Sequence, residues 1–192
     1  MMKKLLFLAV ILSFVLTAQS QDAFLATWSG NNSDDWFESG NWGYLGGDQI
    51  GPNTEILISN PEPNPLRIKS GQNVECGAIT LNAATDDVNA TLIVQSGGSI
   101  TVNGSFTNQK DAGLFTLEGE ATVNGDMSVI TGSDVVVDDG TLTVTGNLDV
   151  TTGVFTMQGT SANVTVGTPV VPGTSEDKAM LDKAATDKIA EK

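Results

Sequence analysis

The chain has 192 residues, with 23 acidic and 9 basic side chains, no histidine and one cysteine, for a formal net charge of −14. A field of that sign repels phosphates, which argues against nucleic acid and anionic lipid as partners. The lone Cys76 permits no intramolecular disulfide, so stability has to come from packing and backbone pairing.

Residues 1–20, MMKKLLFLAVILSFVLTAQS, join a basic start to an apolar run and to small residues at Ala18 and Ser20, the layout of a secretory signal peptide. The run is too short, and too close to the small-residue site, to favour a membrane anchor. Cleavage after Ser20 is expected, leaving no integral membrane segment and a secreted, extracellular or cell-surface chain. The net charge then moves from −14 to −16, because the leader holds Lys3 and Lys4 and no acid.

Residues 21–55 concentrate the large aromatics Trp28, Trp36, Phe37, Trp42 and Tyr44 among glycines and polar turn residues. They are expected to plug one end of the fold as an N-terminal cap. The alternative for Trp28, Trp36 and Trp42 is a platform on which sugar rings stack. EILISN and LRIKSG then read as strands of an irregular first coil, separated by Pro61, Pro63 and Pro65.

Within residues 56–167, Gly77, Gly98, Gly119, Gly140 and Gly159 recur at spacings of 21, 21, 21 and 19. A period near twenty marks a stacked repeat protein. Behind the first four glycines run aliphatic columns, Ile79/Ile100/Ala121/Leu142 and Leu81/Val102/Val123/Val144. These alternate with Thr80, Thr101, Thr122 and Thr143, then with Asn82, Asn103, Asn124 and Thr145. Successive strand side chains point to opposite faces, so the aliphatic columns face a core and the Thr and Asn columns face solvent. A second segment keeps Phe106, Met127 and Leu148 at a spacing of 21, and a third comprises TLIVQ, LFTLE, DVVVD and VFTMQ. Three short strands per unit predict an all-β, right-handed parallel β-solenoid of about 21 residues per coil. An antiparallel sandwich, the rival for short evenly spaced strands, gives no reason for in-and-out columns at a constant spacing. The repeated glycines are expected at coil corners, where positive φ is often needed.

The layout TWSG, DDW, NWG, GPN and ILI followed by Gly-rich strand repeats resembles large secreted bacterial surface proteins. Adhesins and autotransporter-type passengers, built from a leader and a solenoid, are the examples. The resemblance covers roughly residues 27–167. It implies a surface or extracellular role and supplies no catalytic residue.

Residues 168–192 open as a linker, TPVVPGTS. They continue as an expected helix in which Ser175 caps and Leu181, Ala185 and Ile189 repeat every four residues.

Enzymatic chemistry is not expected. Between residues 21 and 173 the only bases are Arg67, Lys69 and Lys110, too few to stabilise an anionic transition state as solenoid pectate lyases do. Carboxylates are plentiful, but no spacing singles out a glycosidase pair. Asp34–Asp35, Asp86–Asp87 and Asp138–Asp139 suit a weak calcium site, although neither the EF-hand nor the GGxGxD pattern appears, and no structural metal is expected. The chain therefore reads as a structural or adhesive module that meets extracellular polysaccharide or cell-surface components and associates with itself through open sheet ends. The candidate ligand-binding residues are Trp28, Trp36, Trp42, Thr80, Thr101, Thr122, Thr143, Asn103 and Asn124, for a glycan or, through the Thr file, for ice.

Overall fold

A computed structural model describes residues 24–45, 50–59, 63–82, 90–109, 113–130 and 132–167. The expected signal peptide, Asp86–Asp87 and the expected C-terminal helix lie outside the described residues.

Three sheets enclose one core. Sheet A runs, from the C-terminal end, β15 (Leu148–Thr151), β12 (Met127–Ile130), β9 (Phe106–Gln109), β6 (Ala78–Asn82), β3 (Thr54–Ile58), β1 (Phe24–Trp28) and β2 (Trp42–Leu45). Sheet B runs β16 (Val154–Gln158), β13 (Asp134–Asp138), β10 (Gly113–Leu117), β7 (Ala90–Val94) and β4 (Leu66–Ile68). Sheet C runs β17 (Asn163–Val166), β14 (Thr141–Val144), β11 (Glu120–Val123), β8 (Ser99–Val102) and β5 (Asn73–Cys76). From β3 onward the chain visits A, B and C in rotation, each strand parallel to its counterpart one revolution earlier. The fold is a parallel β-solenoid of about four turns with a spacing of about 22 residues.

The alternation read from sequence has a direct physical effect. In sheet C, Ile100, Ala121 and Leu142 form one inward column and Val102, Val123 and Val144 another, every member 3% exposed or less. In sheet A, Phe106, Met127 and Leu148 stack in register, and in sheet B the column is Leu92, Phe115, Val135. Each buried aliphatic contributes about 1.5–3 kcal/mol relative to exposure, and the stack repeats that gain coil by coil.

Two expectations are corrected. Gly77, Ile79, Thr80, Leu81 and Asn82 match the glycine-led motif of sheet C, yet Ile79 to Asn82 lie in β6 of sheet A, where Ile79 pairs with Phe106 and Thr80 with Thr107. The true sheet C strand of that coil is β5, with Val74 under Ile100 and Glu75 beside Thr101. Gly77 instead occupies the corner between sheets C and A, and backbone N–H groups link Gly104 to Gly77, Gly125 to Gly104 and Gly146 to Gly125.

The second correction concerns why those corners are glycine. Positive φ falls at Gly30, Gly71, Gly97, Gly132 and Gly159, so of the repeated glycines Gly159 meets the expectation, whereas Gly77, Gly98, Gly119 and Gly140, and the turn glycine Gly104, do not. There the neighbouring coil's backbone comes too close: a Cβ on Gly104 would stand 2.8 Å from the Gly77 carbonyl oxygen. The requirement is space between coils.

Candidate functional site

Sheet C presents the most regular outward face. Its central column is Glu75, Thr101, Thr122, Thr143 and Thr165 in register. Beside it runs Asn73, Ser99, Glu120, Thr141 and Asn163. Thr80 does not belong to this file, and Thr165 takes up its far end. Thr101, Thr122 and Thr143 are half-buried by their neighbours, while Asn103 and Asn124 are exposed at the strand ends.

The amides are tied to one another along the stack. Asn103 Nδ2 donates to Glu75 Oε1 at 2.8 Å, Asn124 Nδ2 to Asn103 Oδ1 at 3.3 Å, and Thr145 Oγ1 to the Asn124 carbonyl at 2.6 Å. Asn103 and Asn124 are thereby linked side chain to side chain, and Glu75 and Thr145 extend the chain of hydrogen bonds to either side. A shallow open groove lined by Ser99, Glu118, Glu120, Asp139 and Thr141 borders this face along the corner with sheet B. The surface offered is a rigid array of hydroxyls and amides with a carboxylate margin.

The aromatic segment is a plug. Trp28, Trp36 and Trp42 are 3%, 4% and 7% exposed, so none presents a ring face for a sugar to stack on. Trp42 stands between the other two, edge-on to Trp28 at 4.9 Å and to Trp36 at 5.2 Å between ring centroids. Each polar handle of Trp28 and Trp42 is satisfied: Trp28 Nε1 donates to the Asn64 carbonyl at 3.0 Å, and Trp42 Nε1 to the Trp36 carbonyl at 2.8 Å. Asn41, fully buried, organises the loop before it by accepting from the Asn32 and Ser33 amides and donating to Ser33 Oγ and the Asp35 carbonyl. Nothing in the aromatic pattern pointed to Asn41; a lone polar residue beside a buried Trp was the available signal. Phe37 is the exception among these aromatics, 64% exposed.

Electrostatics fasten this plug to the stack. The Arg67 amide donates to the Asp34 carbonyl, so the loop backbone pairs with the free edge of β4. Arg67 Nε lies 3.1 Å from Asp34 Oδ2, and Lys69 Nζ lies 2.8 Å from Asp34 Oδ1 and 3.3 Å from Asp35 Oδ2. Arg67 and Lys69 are the only cations among the described residues. Asp34–Asp35 is thus an ion-pair anchor rather than a free carboxylate pair for calcium. At the other described pair, Asp139 Oδ1 accepts from the Ser161 amide. No group of three or more metal-binding side chains stands together among the described residues.

The amide of Phe37 holds the Asp35 carboxyl below its ordinary value of 3.8, with Gln72 and Lys69 assisting against the opposing effect of burial. Asp34 in turn raises Lys69 above 10.5. A carboxyl lowered by folding stabilises above its unfolded pKa and loses that contribution as pH falls through its folded value. A raised lysine stabilises below its unfolded pKa and loses its contribution as pH rises through its folded value. The anchor should therefore hold across the neutral range and loosen below pH 3.8 and above pH 10.5. Tryptophan emission followed against pH should shift at both extremes, and Asp35→Asn should flatten the acid limb; an unchanged acid limb would contradict this assignment.

Cys76 is wholly buried, and burial, with a smaller effect from Glu75, pushes its thiol up to about 12. It packs as a small apolar side chain and is not a reactive group.

Compared with known proteins, the chain matches no family model, no curated protein and no solved structure.

Proposed function

We propose that the protein is an exported, non-enzymatic structural or adhesive module of a cell surface or extracellular matrix, and that the sheet C face is its contact surface. The observation that carries this reading is the in-register ladder of Thr101, Thr122, Thr143 and Thr165, flanked by the linked amides of Asn103 and Asn124. Such a face is held rigid by the packed columns beneath it, so little side-chain entropy is lost on contact. Its hydroxyls and amides both donate and accept, which suits the hydroxyl-rich surface of an extracellular polysaccharide. The signal-like leader and the resemblance to secreted surface proteins support export.

The test is adhesion to immobilised polysaccharides and cells by wild-type protein and by a Thr101→Val, Thr122→Val, Thr143→Val variant. Valine keeps the β-branched shape and removes only the hydroxyls. Binding is expected to fall by about tenfold or more, since each lost hydrogen bond contributes on the order of 1 kcal/mol. Thr116→Val, on the outer face of sheet B, should bind as wild type. Undiminished adhesion of the triple variant would remove sheet C from the proposal. Thermal hysteresis that disappears in the same variant would assign the Thr file to ice instead, and turnover of a polysaccharide would reject the non-enzymatic reading.

A further inference from the structure

The two ends of the stack are finished differently. At the N-terminal end β2 closes sheet A in the antiparallel sense, the Asp34–Asp35 backbone covers β4, and the three tryptophans fill the core. At the C-terminal end no described strand lies beyond β16 or β17.

The effect is visible within single columns. Val135 and Val137 are fully buried, but Phe155 and Met157, which stack on them, are only partly buried. Leu142 and Val144 are fully buried, but Val164 and Val166 above them are not. Leu148 and Val150 of β15 remain covered, at 2% and 6%, so the opening lies over sheets B and C. Here an apolar core and a row of strand-edge amides and carbonyls face outward together, the arrangement that invites strand addition.

Three features of the chain indicate the occupant. It leaves β17 at this same end, with residues 168–192 still to follow, so whatever those residues present is held at an effective concentration of about millimolar. The linker 168–174 reaches at most about 24 Å when extended, several strand spacings. Leu181, Ala185 and Ile189 recur at a spacing of four, the pattern of a narrow apolar stripe.

We propose that residues 175–192 lie across the C-terminal end of the solenoid, setting Leu181, Ala185 and Ile189 against Phe155, Met157, Val164 and Val166. The segment acts as the second cap, matching the aromatic plug at the opposite end. It shields the last strands from pairing with another copy, and an isolated stripe of this kind gains its stability from that packing.

The test places a nitroxide on the full chain at Ala184→Cys, since buried Cys76 does not compete for the label. Amide resonances of β16 and β17 are expected to broaden, while those of β1 and β2 keep their intensity. A mixed sample, with spin-labelled unenriched protein and unlabelled isotope-enriched protein, should show no broadening. Unbroadened β16 and β17 resonances in the first sample would overturn the proposal. So would broadening in the mixed sample, which would identify a second copy as the occupant. As an independent measurement, Leu181→Asp with Ile189→Asp should accelerate amide exchange in β16 and β17 by about tenfold and leave β10 unchanged. Unaltered exchange in the last two strands would equally overturn it.

Discussion

Replacing Trp42 by alanine is expected to lower the stability of the fold by about 3–5 kcal/mol, the range for deleting a large buried aromatic. The ring is 7% exposed and touches both other tryptophans, so its removal leaves a void that neither can fill without losing its own edge contact. It also leaves the Trp36 carbonyl without the indole donor that now reaches it. Denaturant unfolding of the purified protein measures the loss directly. Polysaccharide binding under native conditions should survive the substitution in whatever fraction stays folded. Binding abolished while the midpoint of unfolding is unchanged would restore the tryptophans as a sugar platform.

Gly119→Ala should cost about 3 kcal/mol, the upper part of the usual range for overpacking. A Cβ at this position would fall on the carbonyl oxygens of Gly98 and Gln95, and both belong to the backbone of the preceding coil. No side-chain rotation relieves the contact. Relief requires the coils to part, which loosens the Ala121 to Ile100 register and the bonds around it. Gly51→Ala is the control, because a Cβ there meets nothing within 4 Å, and it should stay within about 0.5 kcal/mol of wild type. Equal destabilisation by the two substitutions would show that chain flexibility, and not the approach of neighbouring coils, sets the need for glycine.

The central coils were legible in the sequence because their corners have constant length. From Ser99 to Glu120 to Thr141 the register advances by 21 residues each time, as it does from Phe106 to Met127 to Leu148. The first coil was misread for a physical reason. A glycine followed by alternating aliphatic and hydroxyl residues specifies a strand leaving a corner, and it does so identically on all three sides of the solenoid. Only the distance to the next coil distinguishes the sides, and between Ile79 and Phe106 that distance is 27 residues. Gly77 thus stands 21 residues before Gly98 while belonging to a different corner.

Buried polar residues were the least legible part. Asn108 replaces an aliphatic in the inward column between Leu81 and Val129, and its Nδ2 donates to the Gly113 carbonyl at 3.1 Å and to the Asp134 carbonyl at 2.9 Å. Alternation marks position 108 as inward, but a sequence pattern carries no sign that two carbonyls converge on it. The Asp34, Arg67 and Lys69 anchor left a trace in the scarcity of bases, although its partners are more than thirty residues apart in the chain. The candidate face was half legible: the Thr and Asn ladders were visible, while the place of Glu75 and Thr165 in the same file depended on a register set by coil length.

The coil-to-coil register makes the molecule a ruler. Because each revolution touches only the ones directly before and after it, duplicating residues 120–140 should insert one more revolution of the same kind as those flanking it. The rod would then grow by about 4.8 Å, one inter-strand step, with both extremities unaltered. Reach, in such a molecule, is quantised by revolution number and open to adjustment by tandem duplication alone.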